Sequence, residues 1–178
     1  VDPPRQQLVD LRTVYVFDIS QTEGQELPTV FHPLKGEAPG GMFFRVKEYA
    51  ESQGYTVRFG TMKTESMYGY LNTDKEIVLK DGETTGQSLK TLCHETAHGL
   101  LNHLNDSTLS REEKELEAET TAWVVCRTLG LETAESSFGY LATWVSDDRD
   151  AKMEKAAHRA CAVAKKILEG LEKIAVGA

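Results

Sequence analysis

SLKTLCHETAHGLLNHL, residues 88–104, is the most informative stretch of this 178-residue chain. Leu89, Leu92, Cys93, Ala97, Leu100 and Leu104 recur at three- and four-residue steps, the period of a helix with one buried face. Within it stands His94-Glu95-Thr96-Ala97-His98. Four residues advance a helix by little more than one turn, so the two imidazoles share a face and a carboxylate lies beside them. That spacing offers two ligands to a divalent cation and a base for its water. Thr84 and Gln87 read as a capping box at the helix start.

The flanking segments supply the rest of a domain. Residues 1–12 are polar and proline-rich, and with no initiator methionine ahead of Val1 they read as a linker or the remnant of a longer protein. Residues 13–178 read as one domain. Residues 13–19, TVYVFDI, alternate as a strand, and Ser20 to Gly41 form a long loop rich in proline and glycine. Met42 to Gln53 place Phe43, Val46, Tyr49 and Ala50 at helical spacing and end at Gly54, a C-cap. Two strands are expected at 55–59 and 76–80. A second long helix begins at Ser110, where Glu113 completes a capping box, and runs to Gly130. Residues 138–145 suggest a short helix. A last helix runs from about Ala151 to Ile174, its stripe passing through Met153, Ala157, Ala160, Ala164, Ile167 and Leu171. This order predicts an α+β fold, with a small, mostly antiparallel sheet packed against the His-Glu-x-x-His helix and further helices toward the C terminus, zincin-like in arrangement.

Composition narrows the function. Apolar content of 40% and charged content of 27% are those of a soluble globular protein, and no apolar run has the length of a membrane span. A net charge of −8 argues against a broad phosphate-binding surface, so DNA binding by this chain alone is not expected. Cys93, Cys126 and Cys161 lie in apolar helical contexts without metal or disulfide spacing, which suits a reducing compartment, the cytosol by default.

Two histidines alone under-ligate zinc, whose catalytic sites hold three protein ligands and a water. The acidic run Glu112, Glu113, Glu115, Glu117, Glu119 on the Ser110 helix is the best source of a third. Glu117 is the first choice, because the small Ala118 after it would let two helices approach; Glu113 shares its face and is second. Glu115 and Glu119 point elsewhere, by roughly 200° of helix rotation. One of these acids would serve as an outer acceptor for a ligand imidazole. Glu95 takes the role of general base in peptide or amide hydrolysis. The strand at 76–80, EIVLK, is the candidate edge that holds an extended peptide by main-chain hydrogen bonds. Tyr68, Tyr70, Tyr140 and His158 are the candidate oxyanion donors, and His103 is expected to face away from the histidine pair. His32 and Arg45 have no context that marks them. Two imidazoles and a carboxylate suit zinc, and admit manganese, cobalt or iron.

A wider pattern accompanies the motif. VFDISQTEGQELP (16–28), LCHETAHGLLNH (92–103), ELEAETTAWVVCRTLGLE (115–132), SFGYLATWVSDD (137–148) and AAHRACAVAKKIL in the last helix together resemble the metallopeptidase-like domain of ArdC antirestriction proteins, within the ImmA/IrrE-type zinc peptidase group. The glutamate on the following helix resembles the third ligand of gluzincins. The resemblance implies zinc held by His94, His98 and Glu117, with Glu95 as general base, and a substrate among DNA-associated regulators or restriction components. ArdC proteins also carry an N-terminal domain for single-stranded DNA that has no counterpart in these residues, so DNA contact would come only through such a missing domain. The leading expectation is a zinc endopeptidase; a metal-stabilised interaction module without turnover is the alternative.

Overall fold

The computed structural model of the chain describes residue 34, residues 36–131, residue 133 and residues 149–176, with side chains in the last stretch from 152 to 174. The segment expected at 1–12, the strand at 13–19 and the short helix at 138–145 lie outside the described residues. A 3-10 turn at Pro39–Gly41 leads into α1 (Met42–Ser52), followed by β1 (Thr56–Gly60), β2 (Gly69–Leu71), β3 (Glu76–Lys80), α2 (Thr85–Leu100), α3 (Arg111–Thr128) and α4 (Arg149–Val176). The fold is α+β, a small sheet packed against several helices.

Helix α1 buries the residues its spacing selects, Phe43, Val46, Tyr49 and Ala50. It stops in a Schellman turn: Gly54 takes φ 87°, the Tyr55 N–H reaches the Ala50 carbonyl at 3.2 Å, and the Gly54 N–H reaches that of Glu51 at 2.9 Å. Helix α3 starts at the expected capping box, with Ser110 Oγ accepting from the Glu113 N–H and the Glu113 carboxylate from the Ser110 N–H. At α2 only half of the expected box forms. Thr84 accepts from the Gln87 N–H, but the Gln87 side chain instead accepts from the Leu34 N–H at 2.9 Å and donates to Thr91.

The sheet corrects two expectations. Its order is β1-β3-β2, with β1 parallel and β2 antiparallel to β3, so it is mixed rather than mostly antiparallel. Strand β3, expected at an edge, is the central strand. Ile77, Val78 and Leu79 are all buried, as a strand covered on both faces requires. Among the described residues the edges are β1 and β2. Gly69 sets β2 close against α2, since a Cβ there would stand 2.6 Å from Thr91 Cγ2 and 2.9 Å from the Val78 carbonyl oxygen.

Leu89, Leu92 and Cys93 of α2 meet Ile77 and Leu79 of the sheet, Val46 and Tyr49 of α1, Val125 and Cys126 of α3, and Ile167 and Leu171 of α4 in one core. The stripe of α4 runs through Ala156, Ala160 and Ala164, with Ala157 exposed. Ala97, Leu101 and Ala118 form a second small cluster where α2 and α3 approach, the close contact anticipated from Ala118. No helix among the described residues is long and apolar enough to cross a membrane.

Candidate metal centre

The last two turns of α2 carry the site. His94 and His98 present their Nε2 atoms to each other at 3.0 Å, with ring planes at 67°. Glu115 of α3 closes the group: one carboxylate oxygen lies 3.4 Å from His94 Nε2 and the other 3.7 Å from His98 Nε2. One donor atom from each of these residues falls within 4.8 Å of the others, which fits a single cation.

Each imidazole is also held from behind. His94 Nδ1 is 3.3 Å from Glu119, whose other oxygen pairs with the buried Lys90 at 2.7 Å. His98 Nδ1 is 2.8 Å from His103 Nδ1, and His103 Nε2 is 3.0 Å from Glu117. The second Glu117 oxygen meets Arg159 Nε of α4 at 3.2 Å.

The expected third ligand was Glu117, but the carboxylate beside the histidine pair is that of Glu115. Glu115 and Glu119, four residues apart, face α2, and Glu117 lies about 200° of helix rotation from either. It is 1% exposed and is committed to His103 and Arg159, outside the group that holds His94 and His98. Glu113 serves as the α3 cap and faces Lys152 at 3.8 Å.

His103 corrects another expectation, because α2 ends earlier than its apolar spacing suggests. Asn102 adopts φ 58°, the His103 N–H bonds the His98 carbonyl at 3.0 Å, and the Asn102 N–H bonds that of Gly99 at 3.0 Å. This is a Schellman turn with asparagine at the left-handed position. It folds His103 back into the protein, where the ring is buried against His98. The Lys114 ammonium holds the His103 carbonyl at 2.8 Å.

The donor set fits a cation for an electrostatic reason. Two bare Nε2 lone pairs facing at 3.0 Å repel, so something positive belongs between them. Without an ion, a hydrogen on one of the two nitrogens meets that need. The His94 pKa is pushed up to about 10: burial opposes this, and hydrogen bonds to Glu115 and Glu119 outweigh it. Burial, and then the His94 cation, hold His98 down to about 3. Glu119 is lowered to about 2, burial being outweighed by His94 and Lys90. A divalent ion answers the same need with more charge, and two imidazoles with a carboxylate are a zinc-type set.

Glu95 is 8% exposed, and burial raises its pKa above the usual carboxylate range, while its carboxylate accepts from the Leu71 N–H of β2. The histidines and both Glu95 and Glu115 open onto a cleft of about 620 Å³, whose other wall includes Tyr68, Gly69, Tyr70 and Leu71. Among the described residues β2 has no second strand neighbour. The Lys80 N–H donates to the Tyr68 carbonyl and the Asn72 N–H to that of Glu76. Alternation along the strand then turns the main-chain groups of Gly69 and Leu71 to the free side.

Of the candidate oxyanion donors, Tyr68 and Tyr70 line the cleft. Lys80 sits over the Tyr68 ring, and the Tyr70 hydroxyl hydrogen-bonds Arg58. His158 is on the exposed face of α4 beside Glu154 and does not line the cleft. Tyr140 and His32 lie outside the described residues. The Arg45 guanidinium donates to the Leu171 carbonyl at 2.7 Å, tying α1 to α4.

Comparison with known proteins agrees with the geometry at a coarse level. Residues 50–133 match the peptidase M78 family model, described as the IrrE N-terminal-like domain. An uncharacterized protein of Bacillus anthracis is 26% identical over 153 aligned positions, covering 75% of this chain and 26% of the relative. The chain thus spans about a quarter of that relative's length. No solved structure matches the chain at a significant level.

Proposed function

We propose that this cleft is the active site of a zinc-dependent endopeptidase of the ImmA/IrrE type, with His94, His98 and Glu115 holding the ion. The observation that carries the reading is the pair of Nε2 atoms turned on each other beside Glu115, with Glu95 buried next to them on the wall of an open cleft. The match of residues 50–133 to the IrrE N-terminal-like domain supports it.

A divalent ion in that position supplies a Lewis acid that polarises an amide carbonyl and makes a water acidic enough to attack it. Glu95 takes the proton of the attacking water and delivers it to the leaving amine. Its raised pKa suits a group that must act first as base and then as acid. The Leu71 N–H holds the Glu95 carboxylate, so the base is anchored to the strand that borders the cleft. An extended polypeptide segment adds to the free side of β2, using the main chain of Gly69 and the Leu71 carbonyl. Tyr68 or Tyr70 stabilises the developing oxyanion.

The resemblance to ArdC proteins extends the reading to a substrate class, a DNA-associated regulator or a restriction component, with an antirestriction role. The hydrogen-bonded thiols of Cys93 and Cys126, free and buried between α2 and α3, support a reducing, cytoplasmic setting.

Digestion of candidate repressors and restriction subunits by the chain and by Glu95→Gln, at matched zinc content, tests the proposal. The variant is expected to cleave about two to four powers of ten more slowly. Equal cleavage by both would remove Glu95 from the mechanism. Zinc uptake without cleavage by either would assign the site to a metal-stabilised interaction module.

A further inference from the structure

Glu117 and His103 are fully buried, polar, and not required by the reaction just described. They form a single line of contacts from α4 to the metal centre: Arg159 Nε to Glu117 at 3.2 Å, Glu117 to His103 Nε2 at 3.0 Å, and His103 Nδ1 to His98 Nδ1 at 2.8 Å. Resting on the metal reading above, we propose that His103 and Glu117 are positioning residues that fix the tautomer and ring orientation of His98, so that its Nε2 lone pair is the one offered to a divalent cation.

The direction of each hydrogen bond follows from what each group can do. An ionised carboxylate only accepts, so His103 Nε2 carries the hydrogen. Arg159 meets the second oxygen of that carboxylate, so both Glu117 oxygens act as acceptors. A neutral imidazole protonated at Nε2 is bare at Nδ1, where it accepts. The 2.8 Å contact is then a hydrogen bond only if His98 Nδ1 donates, and a neutral His98 protonated at Nδ1 is bare at Nε2. Reversal at any link would leave His98 with its hydrogen on the nitrogen that faces His94 and Glu115, where it cannot bind a metal.

The two ligand histidines are thus braced by unlike means. His94 leans directly on a carboxylate, Glu119, while His98 reaches its carboxylate through an intervening imidazole. The intervening ring exists at that place because the Asn102 turn reverses the chain after α2. Carboxylate acceptors behind metal-bound imidazoles typically contribute about 10- to 100-fold in metal affinity.

Competition of the full chain against a chromophoric chelator for zinc, together with the visible spectrum of the cobalt-loaded chain, tests the inference. His103→Leu is expected to weaken zinc binding about 10- to 100-fold and to shift the cobalt bands. His103→Gln, whose amide both accepts and donates, recovers most of the affinity. The isosteric Glu117→Gln lies between wild type and His103→Leu. If the leucine variant does not fold, the two glutamine variants decide. Zinc affinity and cobalt bands unchanged in every folded variant would overturn the inference, as would a glutamine at 103 no better than leucine. A wild-type chain that takes up neither ion would instead overturn the metal reading itself, and this inference with it.

Discussion

Glu115 and Glu117 differ in sequence by two positions and in role by half a turn of helix. Which of them meets His94 and His98 depends on the rotation of α3 against α2, and nothing in an acidic run with glutamate at nearly every second position states that rotation. Glu115→Ala is expected to reduce zinc affinity by more than the about 10- to 100-fold typical of an outer acceptor, while the zinc-free chain stays folded, because the Glu115 side chain is a third exposed and Glu119 still holds His94. Equilibrium zinc titration of that variant checks it. Gly69 is the other residue with little freedom. Gly69→Ala would place a methyl group against Thr91 and the Val78 carbonyl, and is expected to cost about 1–3 kcal/mol in urea unfolding. A stability within error of wild type would mean that β2 is not seated tightly on α2. The histidine pair and Glu95, by contrast, were legible from spacing alone, since an i, i+4 pair meets on any α-helix.

Elements are legible in the sequence where a local signal ends them, and not where tertiary pairing defines them. Gly54 and the Ser110 box mark α1 and α3 because glycine and serine solve the problem of unpaired helix ends. The apolar period of α2 continues through Leu104 and so conceals the helix end, although Leu104 is half-exposed. The available signal was Asn102, a residue that tolerates the left-handed conformation. Asn102→Val is expected to lose about 1–2 kcal/mol of stability and to weaken zinc binding, because a β-branched residue resists φ 58° and releases His103 from His98. Asn102→Gly should retain both, and calorimetry with zinc titration separates the two. For the sheet, EIVLK carried its own warning. Three consecutive buried apolar residues belong to a strand covered on both faces, not to an edge. Strand β2, the edge beside the cleft among the described residues, is three residues long and has no periodicity to read.

At the scale of the described fold, the candidate metal centre lies where three helices meet. Helix α2 brings His94, His98 and Glu95, α3 brings Glu115, Glu117 and Glu119, and Arg159 of α4 completes the inner network. A metal bound at this site would therefore be linked to folding, since an ion that binds only the folded chain adds to its stability. Zinc at 100 times its dissociation constant is expected to add about 2.7 kcal/mol, and a chelator to remove it, by thermal unfolding at fixed protein concentration. The central claim, that His94, His98 and Glu115 together hold one divalent ion, is met most directly by the anomalous difference map of a crystal of the zinc-loaded chain. One peak per chain is expected, in contact with His94 Nε2, His98 Nε2 and the Glu115 carboxylate, with Glu117 still bonded to His103. A peak ligated by Glu117, or no peak between the two imidazoles, would contradict it.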